Sequence, residues 1–366
     1  MSVNRLKSAV FGPAVKNNTL SYALVIVCFI AVQIFRGTGS LTNILEGQLV
    51  PICAYVVMAL SLNLVVGIMG ELSLGHAGFM SVGAFAGATA CIALGDIIPI
   101  GFLCLAVSMV IGAAFAGLVG FLVGIPVLRL KGDYLAIVTL AFGQIIKNLI
   151  TCLYVGKDHS GLHFGFLSSI SALNLGDGAT PIIQGPMGIA NVPQISTFTD
   201  GFVLVLVALF IIQNFVNSRA GRAVMALRDN RIAAESVGVP AMKYKLTAFV
   251  ISAALAGAAG ALYTMNFSTV VASKFDFNTS ILILVFVVLG GLGNMWGSII
   301  AAALLTVLPE LLRQFSDYRM LVYAIVLILV MLATNSPTIQ TFIGRLKNAA
   351  LSVFPGKSRV KGGGAQ

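Results

Sequence analysis

Apolar runs of bilayer length recur along almost the whole of this chain, and no other feature restricts its fold as strongly. At about 20 residues per crossing, such runs fall near residues 20–36, 44–67, 76–95, 99–125, 133–153, 201–216, 245–267, 279–293, 298–312 and 319–335. Of the residues, 58% are hydrophobic and only 9% are charged, which leaves too little polar surface to cover a water-soluble globule. The expected class is an all-α, polytopic integral membrane protein with about ten transmembrane helices.

The formal net charge of +10 does not point to nucleic acid, because the basic residues sit at run ends and in the tail without an aromatic-interleaved face. The longest charged island is 217–245, NSRAGRAVMALRDNRIAAESVGVPAMKYK, where Arg219, Arg222, Arg228, Arg231, Lys243 and Lys245 outnumber Asp229 and Glu235. Lys and Arg near span ends resist translocation, so the island is expected on the cytoplasmic side. An even number of spans then places both termini there, together with the loops after the second, fourth, sixth and eighth runs. Arg129 and Lys131 in loop 126–132, and Arg345, Lys347, Lys357, Arg359 and Lys361 in the tail, fall on that same side. The resulting division is a cytoplasmic segment 1–19, a transmembrane domain 20–335 and a basic cytoplasmic tail 336–366. The polar segment 154–200 becomes an external loop, expected to pack over the outer mouth or to receive an external partner.

Within the island, 221–237 reads as one short helix ending at Gly238 and Pro240. Such a helix either lies on anionic headgroups or docks a cytoplasmic partner, and composition leaves both open. Two glycine-rich breaks interrupt the apolar pattern, GIMGELSLGHAG at 67–78 and GGLGNMWG at 290–297. At membrane depth such breaks must line a cavity or bury in protein, which makes Asn63, Glu71, Ser73, His76 and Asn294 candidates for a translocation path. At the membrane surface the same residues are turn chemistry. Small residues at four-residue spacing (Gly83 and Gly87, Gly120 and Gly124, Ala253 and Gly257, Gly293 and Gly297) are packing marks that let helices approach closely.

Neither a catalytic nor a metal site is expected. The sequence has no nucleophile elbow, paired catalytic carboxylates or metal-ligand cluster. Cys28, Cys53, Cys91, Cys104 and Cys152 fall singly in apolar runs and read as packing residues, and His159 and His163 as surface histidines. The tail fragment PGKS at 355–358 is not a phosphate loop, since Leu351 stands where that loop needs Gly. No A-x-A cleavage pattern follows the first run, which is expected to stay as a span. The acids Glu46, Glu71, Asp133, Glu310 and Asp317 lie near run ends rather than deep within them, unlike those of an ion-driven carrier. Active transport would then draw its energy from a subunit docked on the island.

The runs SLNLVVGIMGELSLGHAGFMSVGAFAGA (61–88), VLRLKGDYLAIVTLAFGQIIKNL (127–149), GPMGI (185–189), GRAVMALRDNRIAAESVGVPAMKYKLTAFVISAALAGAAGALY (221–263) and LVFVVLGGLGNMWGSIIAAALLTVLPELLRQFSDYRMLVYAIVLILVML (284–332) resemble the permease subunits of branched-chain amino acid ABC transporters, specifically the larger of the two paralogous permeases. The resemblance implies a ten-span, type II importer-like permease for leucine, isoleucine and valine in a bacterial inner membrane. It also implies a paralogous partner permease, two cytoplasmic ATPases that bind the ATP, and a periplasmic or extracellular substrate-binding protein. By the same resemblance Arg222, Arg228, Asp229, Asn230, Glu235 and Gly238 become candidate ATPase-coupling residues. The chain departs from the family pattern at Gln144, Lys147, Gln184 and Met187. Urea, short-amide and other amino acid permeases share the scaffold and remain alternative cargoes, and an autonomous secondary carrier remains the alternative machine.

Overall fold

The computed structural model describes residues 13–38, 43–95, 100–130, 132–158, 161–166 and 180–312, with scattered positions to 328. The chain divides into a unit of residues 1–310 and a second of 311–366, and the elements named here lie in the first, its last helix ending at the boundary. Apolar, uncharged runs in lipid must satisfy their backbone internally, which selects helices. They are α1 (Pro13–Gly37), α2 (Asn43–Asn63), α3 (His76–Leu94), α4 (Gly101–Val127), α5 (Asp133–Thr151), α6 (Phe198–Asn217), α7 (Arg219–Asp229), α8 (Arg231–Ser236), α9 (Ala241–Thr264), α10 (Phe277–Gly290) and α11 (Met295–Leu311). Among the described residues seven segments are long and apolar enough to cross a membrane, with two shorter apolar helices at Val25–Gly37 and Met295–Leu311. These nine coincide with the first nine expected runs, while the tenth, 319–335, falls mostly outside the described residues.

The bundle is centred on α9, whose Ala- and Gly-rich surface packs against α3 and α4. Ala248, Ser252, Ala253, Ala256, Gly257, Ala259, Gly260 and Ala261 are all buried. A side chain added at Gly83 would collide with the backbone of Gly257, one at Gly257 with Ala116, and one at Gly260 with the Met80 carbonyl. Gly120 likewise meets Ala253, and Gly124 meets Leu246 and Phe249. The small-residue pairs are therefore packing surfaces, since in lipid close approach, more than apolar burial, holds helices together. The lipid side is marked by α5, which buries Leu135, Ala136, Thr139, Ile146 and Ile150 and exposes Tyr134, Ile137, Ile145 and Leu149.

Alternate connections gather at opposite ends of this bundle. At one end are the 64–75 break, Leu128 and Arg129, the island and Gly293: Gly67 and Lys245 contact the island and the break respectively, and a cleft of about 270 Å³ is lined by Leu128, Arg129, Arg231, Ala241, Met242 and Lys245. At the other end lies a feature that hydropathy did not suggest. Within the expected 154–200 loop, β1 (Leu153–Asp158), β2 (Gly161–Phe166) and β3 (Thr180–Gln184) form an antiparallel sheet of order β2-β1-β3. Val155 pairs with Phe164 on one side and Ile183 on the other. The segment is tied to the helix ends: Lys157 Nζ donates to the Ala93 carbonyl at 3.1 Å, and Ile189 exchanges backbone hydrogen bonds with Val270.

Replacing Gly257 with Leu is expected to cost about 3 kcal/mol or more, because the added side chain meets backbone that cannot yield. Gly47, with nothing within 4 Å, should tolerate the same change. Unfolding in detergent, followed by circular dichroism, separates the two; equal loss at both positions would contradict the packing account.

Candidate functional site: a charged loop docked on a broken helix

The first glycine-rich break begins where α2 widens into a π-helical turn, Leu64–Met69, capped by Gly70 at φ +76°. Gly70 and Glu71 both turn their N–H groups back to the Val65 carbonyl. Leu74 N donates to Thr139 Oγ1 at 3.1 Å, and Ala77 N donates to Ser280 Oγ at 3.1 Å. Neighbouring helices thus supply hydrogen-bond partners where the helix is interrupted. The second break touches the first directly. Gly293 N donates to Asn63 Oδ1 at 2.8 Å, and Gly67 packs so closely on Asn63 and Gly293 that no side chain fits there.

The island contains two helices where one was expected over 221–237. Asn230 adopts extended backbone (φ −153°, ψ 102°), ends α7 and starts α8, its Oδ1 accepting from Ala233 N at 3.0 Å. The physical reason is competition: an Asn side chain that can cap the next turn favours a break over continuation. Ser218 caps α7 in the same way, accepting from Gly221 N at 3.1 Å. Gly238 closes the second helix at φ +85°, the left-handed stop expected of it. Leu227, Ala234 and Ala241, with Val239 and Tyr244, form a small apolar core that holds the two helices and the start of α9 together.

Two contacts fasten the island to the break. Arg228 Nη1 donates to the Gly67 carbonyl at 2.9 Å, and its stem lies over Gly70, where an added Cβ would come within 2.5 Å of Arg228 Cγ. Asp229 holds the rest of the guanidinium at 3.0 Å. At the island's other end Lys245 forms an ion pair with Glu71, both side chains largely buried. Exposed Arg222 donates to the Asn217 carbonyl at 2.8 Å, and exposed Glu235 pairs with Arg231 at 2.8 Å. On the outward side Ile232 and Val237 are 82% and 78% exposed.

The translocation-path candidates divide by location. Asn63, Ser73 and His76 are fully buried. His76 Nε2 lies 2.8 Å from Ser61 Oγ, and since the Ser61 hydroxyl donates to the Met58 carbonyl, Nε2 is the donor. Ser73 Oγ and His76 Nδ1 are buried without a hydrogen-bond partner among the described residues. Asn294 is instead exposed and starts α11, its Oδ1 accepting from Trp296 N at 3.2 Å, so it performs turn chemistry. His163 is described but His159 is not. Sequence reasoning missed Lys245, Thr139, Ser61 and Gly293 as site residues. Lys245 carried one signal, a cation at the threshold of an apolar run.

The family described as branched-chain amino acid transport system permease component matches residues 44–331. The chain belongs to this family. The high-affinity branched-chain amino acid transport system permease protein LivM of Escherichia coli (strain K12) is 35% identical over 338 residues, 87% of this chain and 75% of its own length. The LivM protein of Salmonella typhimurium is 38% identical over 290 residues, 76% of this chain and 66% of its own. The ribose import permease protein RbsC of Haemophilus influenzae is 26% identical over 323 residues, 86% and 91% of the two chains. No solved structure matches. Family membership and the apolar helices together make the chain a multi-pass membrane protein.

The Glu71–Lys245 pair yields a stability test. Removing one partner strands a buried charge, so Glu71→Ala or Lys245→Ala is expected to cost about 3 kcal/mol, while a double replacement by Met recovers most of the loss. Chemical unfolding of the three purified variants decides; single and double variants of equal stability would show that the pair holds nothing.

Proposed function

We propose that this chain is a transmembrane permease subunit of an ATP-binding cassette importer that carries leucine, isoleucine and valine into the cytoplasm of a bacterial cell. The observation that carries the coupling half of this reading is the Arg228 contact to Gly67, which ties a water-exposed charged helix to an interrupted span. The branched-chain cargo rests on the family and on the LivM relatives. An island lying on headgroups would turn its apolar side chains to lipid beside it. Here its apolar core faces the bundle, and Ile232 and Val237 stand on its outer side with Glu235 between them in sequence.

On this reading the island and both termini are cytoplasmic, and 154–200 faces outside. Separate ATPase subunits bind and hydrolyse ATP, and their closure presses on Arg222, Arg228, Asp229, Asn230, Glu235 and Gly238. Rigid docking between two spans converts such a push into movement of the spans. A paralogous permease completes the pathway, with Asn63, Glu71, Ser73 and His76 near its inner end, and an external binding protein delivers substrate. Selectivity then belongs largely to the binding protein, in keeping with a scaffold similar to that of a protein named as a ribose import permease.

The test is uptake of radiolabelled leucine by proteoliposomes holding the chain with its co-purifying partners. Uptake should require ATP on the island side and be blocked by excess isoleucine or valine but not by urea. Glu235→Lys, which replaces the Arg231 pair by two cations one turn apart, should lower uptake about tenfold or more, some 1.4 kcal/mol, in a complex that still assembles. Uptake by the isolated chain without ATP and indifferent to Glu235→Lys would overturn the assignment in favour of a secondary carrier.

A further inference from the structure

We propose that Cys91 and Cys104 are a disulfide-forming pair that staples α3 to α4 at the end of the bundle opposite the island. Their Sγ atoms lie 2.9 Å apart, closer than unbonded sulfurs normally rest, and the two residues are 2% and 3% exposed. Cys91 stands three residues before the end of α3 and Cys104 three residues after the start of α4. They therefore face each other as a rung between two consecutive helices. A metal role has no support, since among the described residues no group of three or more His, Cys, Asp or Glu gathers anywhere. Of the other cysteines, Cys28 and Cys152 are exposed, and Cys53 is buried against Gly201.

The chemistry requires an acceptor of two electrons, which we assign to a disulfide-bearing thiol oxidant in the compartment facing this end. One cysteine thiolate attacks the oxidant's disulfide and expels its first thiolate. The second cysteine thiolate then attacks the mixed disulfide, forming the Cys91–Cys104 bond and expelling the oxidant's second thiolate, so that two protons and two electrons leave the pair. This step precedes burial of the rung against its neighbours. Its occurrence in cells rests on the proposed orientation, which turns this end toward the oxidising outside. The bond leaves the other ends of α3 and α4 free to follow the 64–75 break, so the staple acts as a fixed point for span movement.

The test lyses cells into SDS with N-ethylmaleimide, which traps any thiol once unfolding exposes it, and maps peptides without reductant by mass spectrometry. A parallel sample is purified reduced, unfolded in SDS and returned to mild detergent with 2,2′-dipyridyl disulfide present, so that the oxidant meets both thiols before the rung is buried. In both arms a Cys91–Cys104 cross-linked peptide is expected. Reduction should then lower the thermal midpoint of the wild type by about 5 °C and leave Cys91→Ala/Cys104→Ala unmoved. No cross-link in the chemically oxidised sample would overturn the pairing itself. A cross-link there but alkylated thiols from cells would refute the staple in vivo and count against the orientation, while the pairing geometry would stand.

Discussion

A buried backbone carbonyl must find a donor within the protein, and the widened turn at Leu64–Met69, where Gly67 is buried, makes that requirement hard to meet from within its own helix. The fold answers it from a distance. Arg228, 161 residues away, donates to Gly67, Thr139 and Ser280 accept from the following backbone, and Asn63 joins the turn to Gly293. The interruption is thus held open by side chains from α5, α7 and α10 and by the second glycine break. A helix that ran straight through would need none of these partners and would have no reason to be linked to the loop.

The same arrangement gives the proposed mechanism its path. Arg228 grips the break near the island's first helix, and Lys245 grips it through Glu71 at the start of α9. Between them, Leu227, Ala234 and Ala241 make the island a packed body rather than a tether. From there α9 runs along α3 and α4 through contacts in which backbone meets backbone at Gly83, Gly257 and Gly260. Close-packed helices of this kind move as units, since no soft side chain lies between them to absorb a shift.

The membrane spans were legible because hydropathy over 20 residues is a long and redundant signal, and the glycine pairs because close helix approach admits few other residues. Positive charge grouped loop 126–132 with the island, whose residues line one cleft, and the parity of the span count placed the connections holding the two breaks on the same side. What could not be read were contacts set by the register of distant helices: nothing near Gly67 announces Arg228, and nothing near Glu71 announces Lys245. The split at Asn230 escaped because a capping side chain and a helix interior differ by a single hydrogen bond. The three strands escaped because Leu153–Asp158 and Thr180–Gln184 are short, mixed in polarity and pair across a long gap. Asn294, which the sequence left open between a path and a turn, has the geometry of an ordinary cap.

The island and the break, fastened by Arg228 and Lys245, are expected to move as one body. Spin labels at exposed Ala233 on the island, Leu72 in the break and Phe166 at the opposite end, with exposed Cys28 and Cys152 replaced by Ser, measure this. Double electron–electron resonance on the assembled transporter, resting and during ATP hydrolysis, should show the 233–72 separation constant while the 233–166 separation changes. A 233–72 separation that changes with ATP would mean that the island slides over the break, and the account of force transfer through Arg228 and Lys245 would be wrong.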